Sequence, residues 1–158
     1  MTATITLGVI IDAILLQAED TSSYLNRGTG AVVVISDREM RAAEEGASPD
    51  WFAEWQRDNV RIAEEILEDE EEATYIPAPS RFDIDEYRIM EGFCRSVVSA
   101  EVSDQLYDAM KGKGAFRRFK DKALELGVAE EWYKHRDEEF RRIAIGWCER
   151  NGVAYHEE

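Results

Sequence analysis

Residues 22–35, SSYLNRGTGAVVVI, decide the fold class, because they predict a β-hairpin in a chain whose other patterns are helical. The predicted strands are 22–26 and 31–35, and the glycines between them supply the positive-φ positions of a turn. A lone hairpin is marginally stable in water, so it needs a third strand or a packed helix. Tyr75-Ile76-Pro77 is the predicted third strand.

Start and stop signals on both sides of the hairpin predict six or seven helices. Thr6 precedes a helix from Leu7 to about Ala18, and Ser36-Asp37-Arg38-Glu39 matches a capping box that opens a helix ending at Gly46. The other predicted helices span about 49–68, 83–98, 100–110, 115–126 and 129–150. We therefore predict an α+β fold, mostly α, in a single domain over residues 1–158.

Helical spacing also predicts which side chains are buried. In the helix at 49–68 the predicted core stripe is Phe52, Trp55, Ile62 and Ile66, widened by Trp51, Ala63 and Leu67. In later helices Phe116 and Phe119 are predicted to face the core, whereas His135 lies in an exposed turn. Two segments are predicted to pack less: the acidic helix end and proline-containing extended crossing at 68–80, and a frayed tail at 154–158.

The composition limits the function classes. A formal net charge of −15 argues against general affinity for DNA, RNA or anionic membranes, which need cations on the protein. The apolar run Leu7–Leu16 is interrupted by Asp12, is too short to span a bilayer and lacks a basic flank, so we expect a cytoplasmic protein. Cys94 and Cys148 lie in amphipathic patterns and are predicted to be buried free thiols, and no cofactor is expected.

The clearest functional signal is a local reversal of charge. Residues 111–122, KGKGAFRRFKDK, hold six basic residues and one acid, so this segment is +5 while the rest of the chain sums to −20. Such a segment binds either an anionic partner or acidic groups of its own fold. The residues proposed to bind an anion are Lys111, Gly112, Lys113, Gly114, Arg117, Arg118 and Lys120. Nucleic-acid contact is expected only here, if at all.

Two polar residues interrupt apolar patterns and are the next candidates. Arg136 lies four residues from both Trp132 and Phe140, so we expect its stem to cover a core edge and its guanidinium to meet a carboxylate or an aromatic face. Asp12 is one conceivable partner. If such residues converge with Asp83, they form the cleft of a carboxylate-dependent enzyme. No catalytic residue is assigned, because no nucleophile pattern accompanies the two histidines, and no metal set is expected.

Several motifs in order resemble a family of uncharacterised bacterial proteins with no assigned function. They are SSYLNRGTG, YIPAPSRFDIDEYRIM, GAFRRFKD and WYKHRD, and the resemblance covers nearly the whole chain. It implies a single bacterial cytoplasmic domain and assigns no activity or site residue.

Together these observations favour a small acidic, non-enzymatic binding or regulatory protein whose segment 111–122 contacts an anion or a partner. The alternative is a hydrolase-class enzyme with a cleft near Asp12, Asp83 and Arg136. The expected partner is an unidentified protein or a small anion, not a membrane, and a homodimer through the helix at 51–67 is a further alternative.

Overall fold

The computed structural model describes residues 2–69, 71–72, 74–80 and 84–157. Over these residues the chain forms seven α-helices and five short β-strands, which confirms the predicted α+β, mostly α class. It divides into two compact units, Met1–Asp83 with Ala144–Glu158 and Ile84–Ile143. That the whole chain is one domain stays a prediction.

The first unit contains a three-stranded antiparallel sheet. Its central strand β2 (Thr21–Asn26) pairs with β3 (Val32–Ser36) on one side and with β4 (Tyr75–Pro77) on the other. The turn between β2 and β3 has Gly30 at a φ of 76°, and the Asn26 side-chain oxygen accepts two backbone N–H groups of the loop. The predicted hairpin and its third strand are confirmed.

Helix α1 (Leu7–Leu15) lies against this sheet, and the buried hydroxyl of Ser23 donates to the carbonyl of Ala13 at 3.2 Å. The helix ends three residues before the predicted Ala18. The N–H of Ala18 instead donates to the hydroxyl of Thr21 at 2.8 Å, and this local bond holds a turn in place of a further helical turn.

Two residues of the tail predicted to fray at 154–158, Tyr155 and His156, form a strand in the structure, and Glu158 lies outside the described residues. Strand β1 (Ile5–Thr6) runs parallel to a C-terminal strand at Tyr155–His156, the fifth strand of the chain. Nearby, the indole N–H of Trp147 donates to the carbonyl of Pro77 at 3.0 Å. Pairing between residues this far apart in the sequence leaves no local signal, so the sequence did not predict this strand pair.

The predicted capping box is present at the start of α2 (Asp37–Glu44). The Ser36 hydroxyl accepts the N–H of Glu39 at 3.1 Å, and the Glu39 carboxylate accepts the N–H of Ser36 at 2.9 Å. The same buried carboxylate accepts two bonds from the Asn59 amide, at 3.2 and 3.3 Å. Glu39 therefore connects α2 to the helix that packs on it.

That neighbouring helix, α3 (Glu54–Glu68), begins five residues later than predicted. Pro49–Trp51 is a short 3-10 helix, and the chain bends at Phe52 and Ala53 before α3 starts. The predicted core stripe is wrong at three positions, because Trp51, Trp55 and Leu67 are 79%, 75% and 44% exposed. The bend interrupts the continuous helix that the predicted stripe assumed. Val60 and Ala63 are the buried residues of α3.

The acidic end of α3 has a structural role through Asp69. Its carboxylate accepts the N–H of Thr74 at 3.0 Å and that of Tyr75 at 2.8 Å, so it leads the chain into β4. The predicted mobility of residues 68–72 stays a prediction, and Glu70 lies outside the described residues.

The second unit is helical. It consists of α4 (Glu86–Ser96), α5 (Ala100–Ala109), α6 (Ala115–Glu125) and the first part of α7 (Ala129–Asn151). Helix α4 starts later than predicted, because its N-cap is Asp85, whose carboxylate accepts the N–H of Arg88 at 3.1 Å. The predicted start of the helix, Asp83, lies outside the described residues.

Aromatic side chains fill the interior of the second unit. The rings of Phe93, Phe119 and Trp132 lie with centroids 4.8–6.3 Å apart. Trp132 and Phe140 of α7 are buried as predicted, and Cys94 and Cys148 are buried free thiols. Across the described residues, no helix is long and apolar enough to cross a membrane.

Charge is divided very unequally between the units. The first has 21 Asp and Glu against seven Lys and Arg, which accounts for −14 of the net −15. The second has 13 acids against 12 bases. The segment 111–122 is therefore the basic part of a nearly neutral unit.

Candidate functional site

The loop before α6 is closed by one of its own candidate residues. Gly112 and Gly114 have φ values of 77° and 75°, which favour glycine, and they turn the chain sharply into the helix. The guanidinium of Arg118 donates to the carbonyls of Lys111 and Lys113. Arg118 therefore serves as an internal brace of this loop, and its donors are not directed at a free anion.

The other cations of segment 111–122 fall into two groups. Lys111 pairs with Asp108 and Lys122 with Glu125, at 3.2 and 3.1 Å. The segment's other three cations, Lys113, Arg117 and Lys120, are exposed and have no ion-pair partner among the described residues. Of the cations predicted to bind an anion, Lys111 and Arg118 therefore contact groups of this unit, whereas Lys113, Arg117 and Lys120 face solvent.

Helix α6 presents two different outer sides. One side, with α5, lines an open cleft of about 420 Å³ whose charged residues are Asp108, Arg118, Asp121, Lys122 and Glu125. Three carboxylates face two cations there, so this cleft does not favour an anion.

The opposite side of α6 is cationic and apolar. At 100° per residue, positions 116, 117, 120 and 124 share about one quadrant of the helix. Phe116 is 46% exposed and Leu124 is 54% exposed, beside the exposed Arg117 and Lys120. The prediction that Phe116 faces the core is wrong, because only Phe119, Ala115 and Ala123 of this helix are buried.

Phe116 also has an aromatic neighbour from α4. The ring of Tyr87, 45% exposed, lies 5.9 Å from it at an interplanar angle of 52°. We call the set Tyr87, Phe116, Arg117, Lys120 and Leu124 the cationic surface. The exposed rings of this surface could not be found from the periodicity of α6, which places Phe116 at the edge of the buried stripe.

Arg136 occupies the structural position that its spacing predicted. Its guanidinium lies over the ring of Phe140, 4.7 Å from the centroid, and donates to Glu86 at 3.0 Å. The two side chains are 28% and 17% exposed. Arg136 therefore joins α7 to the first turn of α4 through an ion pair and a cation–π contact.

The convergence of Asp12, Asp83 and Arg136 that the enzyme hypothesis requires stays a prediction. Asp12 is exposed on α1, and Asp83 lies outside the described residues. The carboxylate that meets Arg136 is that of Glu86, in the first turn of α4.

His135 is half-buried, contrary to its predicted exposed position. Its ring lies 5.6 Å from that of Phe93 and stacks on Trp132, and Nε2 is 3.2 Å from the carbonyl oxygen of Ile89. The neighbouring cleft, also about 420 Å³, has an apolar wall of Phe93, Val97, Val98 and Val128. These contacts assign His135 a packing role.

The thiols do not provide a reactive group. Burial raises the pKa of the Cys94 thiol to about 11, so it stays protonated at neutral pH and is a poor nucleophile. Burial also raises the pKa of Cys148. Among the described residues, no group of three or more His, Cys, Asp and Glu is placed to hold a metal ion.

Comparison with known proteins gives one match. The model of the Uncharacterised protein family (UPF0158) matches residues 3–158. The chain belongs to this family. No curated protein and no solved structure matches it. The family match extends over both units of the structure.

Proposed function

We propose that this UPF0158 protein is a non-enzymatic cytoplasmic binding protein whose cationic surface binds an acidic segment of a partner protein. The observation that carries the proposal is the placement of exposed apolar side chains, Phe116 and Leu124, beside the unpaired cations Arg117 and Lys120 on one side of α6.

The chemistry of the surface favours a peptide over a small anion. Each exposed ion pair contributes only about 0.2–1 kcal/mol, so two cations on an open surface hold a free phosphate weakly. Apolar contacts with Phe116, Leu124 and the ring of Tyr87 supply the further burial that a protein interface needs. A segment that alternates carboxylates with apolar side chains matches both features.

The overall charge favours a short acidic peptide over nucleic acid. A duplex carries one charge per about 1.7 Å, so a protein of net charge −15 repels it at long range. A peptide with few carboxylates meets less repulsion, and its apolar side chains match exposed rings.

The test measures binding of a fluorescent peptide that alternates leucine and glutamate, with a leucine–glutamine peptide as its control. In Arg117→Glu/Lys120→Glu the loss of two exposed pairs should cost about 0.4–2 kcal/mol, or about two- to 30-fold in Kd. The matched variant Arg95→Glu/Lys134→Glu changes the same charge at exposed positions elsewhere in this unit and should bind as wild type does.

The removal of apolar contacts provides a second arm. Phe116→Ala/Leu124→Ala should lower the affinity for the leucine–glutamate peptide and leave the salt dependence of that affinity unchanged. Equal binding of both peptides, or an equal loss in the matched charge variant, would refute the proposal. Binding of inorganic phosphate or a single-stranded oligonucleotide, but not the acidic peptide, would assign the surface to those ligands instead.

A further inference from the structure

The acidic first unit exposes two tryptophans close together in the sequence. Trp51 and Trp55 are 79% and 75% exposed, whereas Trp132 and Trp147 are 6% and 5% exposed. Tryptophan is a highly buried residue on average, and exposed tryptophans are enriched at interfaces. Two such residues within one bend and the first turn of α3 therefore indicate an interaction surface.

The bend that presents them is held by two arginines. The guanidinium of Arg38 lies 5.4 Å from the ring centroid of Phe52, and Arg57 donates to the carbonyl of Phe52 at 3.2 Å. Phe52 is thereby anchored between the two tryptophans. The anchored residue fixes the backbone from which Trp51 and Trp55 project.

The charges around the tryptophans are negative. Exposed acids lie along residues 44–58 at Glu44, Glu45, Asp50, Glu54 and Asp58, and the one basic residue of this stretch, Arg57, donates to the carbonyl of Phe52. Asp58 also pairs with Arg61 of the next turn at 3.3 Å, and its side chain is still 82% exposed. At 100° per residue, Glu54 and Asp58 lie on the outer side of α3 next to Trp55. The faces of tryptophan rings attract cations, and neighbouring carboxylates strengthen that preference.

We propose that Trp51 and Trp55, with the carboxylates of Glu54 and Asp58, form a docking surface for an arginine- or lysine-containing segment of a partner protein. The guanidinium or ammonium groups stack on the indole faces and meet the carboxylates. Charge complementarity selects this occupant, because the unit carries 21 acidic residues against seven basic ones. This surface shares no residue with the cationic surface, and its variants and probe peptide differ from those above.

The test uses the full chain and a tryptophan-free labelled peptide that alternates arginine and glycine, with citrulline replacing arginine in the control. Wild type should bind the arginine peptide more tightly. The variant Trp51→Ala/Trp55→Ala should bind the arginine peptide about five- to 30-fold more weakly than wild type. The affinity of Trp51→Tyr/Trp55→Tyr should lie between those of wild type and the alanine variant. Tyr133→Ala, a change at another exposed aromatic residue, should leave binding unchanged.

Charge variants and collisional quenching complete the test. Glu54→Gln/Asp58→Asn keeps both indoles but removes two carboxylates. It should lower the affinity for the arginine peptide and make that affinity less dependent on salt. In the free protein, each quenching constant is divided by the value for free N-acetyltryptophanamide, and the resulting ratio should be larger for caesium than for iodide, because cations concentrate near the carboxylates.

Three results would overturn the proposal. The first is unchanged affinity in Trp51→Ala/Trp55→Ala when circular dichroism shows a wild-type fold. The second is equal binding of the citrulline peptide. The third is self-association in sedimentation that both Trp51→Ala/Trp55→Ala and Arg117→Glu/Lys120→Glu abolish, since the occupant would then be the basic segment of a second copy.

Discussion

The contact between Arg136 and Glu86 should be a measurable part of the stability of the second unit. The guanidinium donates to the carboxylate at 3.0 Å, and both side chains are mostly shielded from water, at 28% and 17% exposed. Hydrogen bonds to charged groups contribute about 1.5–3 kcal/mol, and the cation–π contact with Phe140 adds about 0.5–2 kcal/mol. We expect Arg136→Ala to lower the free energy of unfolding by about 2–4 kcal/mol.

A double-mutant cycle separates the pair from the other losses. With Arg136→Ala, Glu86→Gln and the double variant, the coupling energy should be about 1–2 kcal/mol. The matched cycle uses Arg142 and Glu139 on the same helix, whose 3.1 Å pair is 74% and 29% exposed and should couple by about 0.2–0.5 kcal/mol. Arg136→Lys should recover only part of the stability, because an ammonium lacks the planar stacking geometry of a guanidinium.

The assay is urea unfolding followed by far-UV circular dichroism, with the slope of each transition checked across variants. Unchanged slopes allow the midpoints to be compared as stabilities. A coupling between Arg136 and Glu86 no larger than that of the exposed control pair would refute the reasoning, because shielding from water would then add nothing to this contact.

Two further predictions concern the second unit. Arg118→Ala should lower the free energy of unfolding by about 1–2 kcal/mol, because it removes the donor to the carbonyls of Lys111 and Lys113. The adjacent variant Arg117→Ala should change the free energy of unfolding in urea by less than about 0.5 kcal/mol, and equal effects of the two variants would contradict the role of Arg118 as a brace. Burial raises the pKa of Cys94 from 9.0 to about 11, so the unfolded state loses the thiol proton first and stability should fall as pH rises from about 9 towards 11. In Cys94→Ala this decline between about pH 9 and 11, measured by urea unfolding, should be shallower than in wild type, and an identical decline would contradict the assignment.

Elements with local signals were predicted well. The hairpin, the third strand at 75–77 and the capping box at Ser36 depend on turn residues, β-branched residues and bonds spanning three positions, all of which are visible in the sequence. Arg136 was also placed correctly, because a residue four positions from two buried aromatics must lie along them.

Candidate-site residues were harder to predict because exposure depends on what packs against each helix. Phe116 and Phe119 are the same residue type and lie three positions apart on the predicted apolar stripe of α6. Phe116 is nevertheless 46% exposed, whereas Phe119 is buried. The basic segment was found from charge alone, but its division into a braced loop and an outward surface depends on the Arg118 contacts with carbonyls five and seven residues away.

By itself, the sequence determined the α+β class, the hairpin, most helices and the local reversal of charge, since each arises from interactions within a few residues. Only the tertiary structure decided that the chain ends pair as parallel strands, that Glu86 is the partner of Arg136, and that Trp51 and Trp55 are exposed. These features depend on contacts between distant segments and on the bend at Phe52, because burial is decided by the neighbouring elements and not by residue type.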